Sequence, residues 1–153
     1  MTLNEIWAIS DVNSLIIELS DYISEKCDYG DNMDALSGPE RVFYITQQLE
    51  MEVNNGGFSQ FFYNSAGDFS GELAACFHAI GAPRTAAICE NALNAFGREV
   101  PADRDERQDM MDELESDELD EALEACDDDF YAYEEDLNAL NYAYVLKHKS
   151  DFT

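Results

Sequence analysis

Apolar residues recur at steps of three and four along most of the chain, and that spacing predicts helices from end to end. Between residues 4 and 26 the apolar set is Ile6, Ile9, Val12, Leu15, Ile16, Leu19, Tyr22 and Ile23. It fits one or two amphipathic helices, with Ser10 or Asp11 as cap of the second. Residues 28–38, rich in Asp, Asn and Gly, read as a loop. Ser37-Gly38-Pro39-Glu40 forms a capping box with proline in the first turn. Val42, Phe43, Ile45, Leu49 and Val53 give the buried face of the helix that follows. Asn54-Asn55-Gly56-Gly57 should end it, because asparagine and glycine tolerate positive φ. Phe58, Phe61 and Phe62 then predict a short aromatic helix to about Asn64. The alanine-rich segments 70–80 and 84–96, separated by Gly81-Ala82-Pro83, predict an antiparallel helix pair. No alternating stretch with hairpin turns is present, nor any internal repeat. The fold class expected is all-α: a single compact multi-helix domain over residues 1–153 with strongly acidic C-terminal helices.

The acidic helices follow from the same periodicity. Met110, Met111 and Leu114 fall on one side of a helix over 103–115, and Asp105, Glu106, Asp109, Asp112 and Glu113 largely on the other. In the next helix Leu119, Leu123, Cys126 and Phe130 cluster. Asp117, Asp120, Glu121, Glu124, Asp127 and Asp128 are assigned to the opposite side, and Ser116 is the cap between the two helices. The acids should therefore form the outward face of helices whose inner face is held by the core.

Charge makes this block distinctive. The chain holds 34 Asp+Glu against 8 Lys+Arg, a formal net charge of -26. Residues 99–136 carry a net of -17, about two thirds of the total in a quarter of the chain. Fully helical, those residues would span about 57 Å, one net charge per roughly 3.4 Å. A DNA strand carries one phosphate per about 3.4 Å of axis and the duplex one per about 1.7 Å. Two acidic helices side by side, or two copies of the chain, would approach the duplex value. Solubility alone does not require such a density. Like charges at i,i+4, such as Asp117 with Glu121, also cost a few tenths of a kcal/mol each, about the size of one helical ion pair.

So negative a chain is not expected to bind nucleic acid or an anionic membrane directly. The 46% hydrophobic content, with 9 Phe, 8 Tyr and 1 Trp, argues against disorder. No run of 18 apolar residues and no signal-peptide pattern are present, so a cytoplasmic location is expected. Cys27, Cys76, Cys89 and Cys126 lack CxxC spacing and read as reduced core residues. His78 is expected in the core or at its boundary, and His148 at a helix C-terminus. There is no EF-hand loop, HExxH, GxSxG, P-loop or dinucleotide fingerprint, so no metal, cofactor or catalytic residue is assigned.

The stretch from Glu50 to Asn64 reads E-x-E-V-N-N-G-G-F-x-Q-F-F-x-N and continues into Ser65-Ala66-Gly67-Asp68. Glu50, Glu52, Asn54 and Gln60 are residue types that an active site could use. A structural role accounts for the stretch more simply: asparagines capping a helix, glycines turning the chain, aromatics plugging the core. The stretch also resembles the signature of the bacterial DNA-mimic proteins, over about residues 37–96. The resemblance implies an all-helical domain and, for the mimic members, occupation of the DNA-binding surface of a transcription regulator.

Taken with the acidic block, counted independently, these features lead to one functional expectation. A non-enzymatic mimic would use Asp103, Asp105, Glu106, Asp109, Asp112, Asp117, Glu118, Asp120, Glu121, Glu124, Asp127 and Asp128 where DNA has phosphates. The partner would be a basic DNA-binding protein, most simply a helix-turn-helix transcription factor, kept off its operator. A homodimer would lengthen the acidic surface, and the sequence leaves stoichiometry open. The alternatives are an antitoxin, immunity or chaperone-like module for another basic protein, and a small enzyme built on Glu50, Glu52, Asn54 and Gln60.

Overall fold

Helices form where the three- and four-residue spacing places them. The computed structural model describes residues 1–153 and has eight α-helices and no strand. They are α1 (Leu3–Trp7), α2 (Val12–Lys26), α3 (Gly38–Tyr63), α4 (Leu73–Ala79), α5 (Pro83–Asn94), α6 (Arg104–Leu114), α7 (Asp117–Tyr131) and α8 (Leu137–Lys147). Asp11 caps α2 by accepting from the Ser14 N–H at 2.9 Å. The segment expected as a loop holds two short 3-10 turns, Asp28–Gly30 and Met33–Ala35. Residues 65–72 are a 3-10 segment, so the helix expected from residue 70 begins at Leu73.

The capping box before α3 is present in full. The Glu40 N–H donates to the Ser37 hydroxyl, and the Ser37 N–H donates to the Glu40 carboxylate at 2.9 Å. Glu40 is buried and also receives the Lys26 ammonium at 2.7 Å, so its charge is paired rather than orphaned. Near it, Phe152 is buried and packs edge-on against Phe43 and Trp7, closing the α1–α2–α3 corner.

Asn54-Asn55-Gly56-Gly57 does not end α3 but kinks it. Gly56 (φ -161°, ψ 17°) and Gly57 (φ 79°, ψ -179°) leave helical geometry, and the helix resumes through Phe58–Tyr63. The asparagine side chains do not cap anything. Asn54 Nδ2 donates to the Tyr133 hydroxyl and Asn55 Nδ2 to Gln60 Oε1. The cap comes from another helix: the Phe58 N–H donates to Asp127 Oδ1 of α7 at 2.7 Å. A Cβ at Gly57 would collide with that carboxylate, and its positive φ already disfavours other residues. Gly57→Ala is expected to cost about 1–3 kcal/mol, the range for a non-glycine residue forced into such a conformation. Urea unfolding would check this, and a cost near zero would mean that α7 does not approach the kink as described.

α3 is the axis of the core, packed against α2, α4, α6, α7 and α8. Thirty-two buried apolar residues form one continuous cluster. Its densest part is aromatic: Phe62 meets Phe96 and Phe61 with ring centroids 5.0 and 5.2 Å apart, and Phe58 meets Phe130 at 6.2 Å. Edge-on pairs of this kind add about 0.5–1.5 kcal/mol each beyond burial of the rings. All four cysteines are buried and unpaired, filling the core as small residues. His148 is the C-cap of α8 and lies on Tyr144, as its place in the sequence suggests. His78, expected in the core or at its boundary, is exposed on α4, because Cys76 and Phe77 take the inward positions.

Candidate functional site

Two acidic helices hang from one short rod. The aromatic half-helix Phe58–Tyr63 carries α7 at its N-terminal end and α6 at its C-terminal end. At the first, the Asp127 carboxylate meets the free N–H of Phe58. At the second, α6 supplies donors to carbonyls that the helix end leaves without partners. Arg107 donates through Nε to the Phe62 carbonyl and through Nη2 to the Asn64 carbonyl at 2.8 Å. Gln108 donates to the Tyr63 carbonyl at 2.8 Å, as does Arg104 at 3.3 Å. Anion at the N-terminus and cation at the C-terminus is the arrangement that the helix dipole favours.

Arg107 is fully buried. Its remaining donors go to the carbonyls of Pro101 and Ala102 and to the Asp68 carboxylate at 2.9 Å. Gly67 permits this, since a Cβ there would lie 2.8 Å from Arg107 Nε and from the Phe61 carbonyl. Arg107 therefore fixes α6 to the end of α3 and to the chain on either side of it.

With the inner faces fixed, the outer faces are free. Asp103 caps α6 by accepting from the Glu106 N–H at 3.0 Å, and Ser116 caps α7 by accepting from Leu119 at 3.1 Å. Of the twelve acids expected to contact a partner, eleven are exposed: Asp103, Asp105, Glu106, Asp109, Asp112, Asp117, Glu118, Asp120, Glu121, Glu124 and Asp128. None of the twelve is in an internal ion pair. Five of the eight lysines and arginines pair with other acids, as Lys26–Glu40, Arg41–Glu72, Arg84–Glu134, Arg98–Glu113 and Arg107–Asp68.

Asp127 is the correction. Its carboxylate is half-buried against the α3 kink and is committed to Phe58, so it serves the fold and is not a free contact. The two helices also make no extended contact with each other: α6 packs on α3, and α7 on α3 and α5. The acids form two rows, not one doubled strip.

Sequence reading missed other residues besides Arg107. The Glu135 carboxylate, in the α7–α8 turn, accepts from the backbone N–H of Arg84 and Thr85 and from the Thr85 hydroxyl, capping α5 from outside. Tyr133, at φ 44°, donates its hydroxyl to Glu50 at 2.8 Å and accepts from Asn54. The four polar residues singled out as possible catalytic groups are spoken for differently. Glu52 receives Gln60 at 2.9 Å and Asn64 at 3.0 Å, bracing the kink across its open side. Glu50 lies beneath Tyr133. No three His, Cys, Asp or Glu side chains converge as metal ligands would.

Burial raises the pKa of Asp127 and of Glu50 above the usual carboxylate range, and neighbouring acids push the same way. Burial with the Glu50 charge below it also pushes Tyr133 up to about 12. An acid raised on folding contributes stability that is complete below its ordinary pKa and is lost as pH rises through the raised value. Acidification from neutral pH toward the ordinary carboxylate value of about 4 is therefore expected to raise Tm. Below about pH 4 the trend should reverse, because cap hydrogen bonds hold Glu5 and Asp11 under their ordinary values. Thermal melts across this range at fixed ionic strength would check it. A Tm that falls steadily from pH 7 downward would contradict the burial of these two acids.

These features define an acidic, all-helical protein whose most highly charged faces are fixed from within and open to solvent. The chain belongs to the DMP19-like protein family, whose model matches residues 34–148. That is a family of DNA-mimic proteins. The match includes the Glu50–Asn64 stretch and both acidic helices. No curated protein and no solved structure gives a match. No helix is long and apolar enough to cross a membrane.

Proposed function

We propose that this chain is a DNA mimic that occupies the DNA-binding surface of a basic transcription regulator, of helix-turn-helix type, and so keeps it from its operator. The observation that carries this is the set of eleven exposed carboxylates, ten on α6 and α7 and one at the α6 N-cap, none in an ion pair within the chain. Such carboxylates accept from the Lys and Arg side chains that a DNA-binding protein offers to phosphates. Membership of the DMP19-like family supports the same reading. Pairing of this kind releases counterions from both surfaces, so the complex should weaken steeply with salt.

The test is competition. The immobilised chain is exposed to a lysate of its source organism at low salt, then washed with duplex DNA or eluted with rising salt. The expected result is retention of a DNA-binding protein that either treatment displaces. That protein, bound to its operator fragment, should then lose the fragment as the purified chain is added. Retention that survives both treatments would instead favour the alternative of an acidic interaction module for another basic protein. No release of operator DNA at any ratio would sink the mimic reading.

A further inference from the structure

A cleft of about 450 Å³ opens between α2, α3 and α8, on the side of α3 that Tyr133 reaches from the end of α7. Its wall carries two carboxylates, Asp21 and Glu50, with asparagine and serine side chains, and no lysine or arginine. Its apolar parts are Ile16, Ile17 and Met51; Ile17 and Met51 are about half exposed, at 51% and 54%. Gln47 also lines it, and its Nε2 is the one buried side-chain polar atom of the protein without a hydrogen-bond partner. Tyr133, 40% exposed, borders the same region through hydrogen bonds to Glu50 and Asn54. The cleft thus lies near the C-terminal end of α7 and sets exposed apolar groups beside two carboxylates, exposed Asp21 and partly buried Glu50.

We propose that this cleft receives an arginine side chain of the basic partner, a reading that rests on the mimic function above. The methylenes would lie along Ile17 and Met51, and the guanidinium would reach Asp21 and Glu50. Arginine suits the place better than lysine. Its planar group is weakly hydrated, presents several donors at once and packs against apolar side chains. DNA-binding proteins carry such residues in arms that enter the minor groove beside their main contacts. The cleft would hold that arm while α6 and α7 hold the main surface.

The test uses the full chain with N-acetyl-arginine amide as probe and the neutral, isosteric citrulline amide as control, followed by amide NMR shifts. Saturable shifts at Asp21 and Asn54 with the first probe and none with the second are expected. Asp21→Asn with Glu50→Gln should weaken the arginine probe about tenfold or more, the size of one lost charge-assisted hydrogen bond. Removing two charges elsewhere, Asp31→Asn with Glu90→Gln, should change it by less than about twofold, since distant exposed charges are screened. If the first double variant fails to fold, Met51→Arg, which supplies a guanidinium of the chain's own at the mouth, should block the probe instead. Equal response to both probes, or shifts that never saturate and spread along α6 and α7, would overturn the proposal. The two readings can fail separately. A captured regulator whose affinity ignores Asp21→Asn with Glu50→Gln sinks the cleft alone. Probe binding at the cleft with no DNA-displaceable partner sinks the mimic reading and leaves a site for a small guanidinium.

Discussion

Replacing Arg107 with methionine is expected to destabilise the protein by about 3–5 kcal/mol, the cost of breaking a buried charge arrangement by removing one side. Methionine keeps most of the volume, so little of the loss would come from a cavity. What disappears is the side-chain donor to the carbonyls of Phe62, Pro101 and Ala102, and one of two donors to the Asn64 carbonyl, which keeps the Gly67 N–H. Asp68 is partly exposed and can turn to water, as can the carbonyl of exposed Ala102, but the Phe62 carbonyl is buried. Each unsatisfied group costs about 1–3 kcal/mol, and partial hydration would limit the sum. A domain of this size is stable by about 5–15 kcal/mol in all, so the variant would stand near the edge of folding at 37 °C. Urea unfolding with circular dichroism is the measurement. A variant within about 1 kcal/mol of the parent would mean that the guanidinium does not hold α6 to α3.

Neutralising Asp117, Glu121 and Glu124 to Asn, Gln and Gln is expected to weaken the regulator complex at least about a hundredfold, at unchanged or slightly higher stability. The three side chains are exposed and unpaired, so no ion pair or packing contact of the fold is lost. Relief of the Asp117–Glu121 and Asp120–Glu124 repulsions returns a few tenths of a kcal/mol each, about the scale of a helical charge pair. Loss of Asp117 from the first turn of α7 takes back a similar amount. Binding would lose three charge-assisted contacts, and its salt dependence would become shallower. Asp127→Ala should act in the opposite sense on the fold, costing about 1–2 kcal/mol as loss of a cap does. Four acids on one helix would then divide into three that serve the partner and one that serves the chain. Thermal melts with binding measured at two salt concentrations would show the division. Equal stability effects from all four would contradict it.

The helices were legible because their signals are local. Ser37 and Glu40 read as a capping box, Asp11 and Ser116 as caps, and the three- and four-residue spacing placed the buried faces of α2, α3 and α7. The free acid rows were equally legible, because an acid far from the apolar stripe has nowhere to point but outward. What went unread depends on partners distant in sequence. Arg107 stands among acids and looks like a surface base, yet with Met110, Met111 and Leu114 it completes an i, i+3, i+4, i+7 stripe. Asp127 stands in the same relation to Leu123, Cys126 and Phe130, about 40° round the helix from Leu123 and not opposite it. A charged residue in the apolar register was the available sign in both. The groups that satisfy them, 45 and 69 residues away, were not readable from spacing. The Asn-Asn-Gly-Gly run misled for a related reason: its glycines permit a break, and Asp127 turns the break into a kink.

The rod of six residues from Phe58 to Tyr63 has a consequence for how such proteins diverge. Because it anchors both charged rows, with α5 steadying α7 and the short Glu115-Ser116 link joining the two helices, the outward residues are left as interchangeable lettering on a fixed ruler. Acids could be moved, added or dropped to suit a new regulator without redesigning the frame. A change at Gly57, Gly67, Arg107 or Asp127 would alter the ruler and every spacing marked on it.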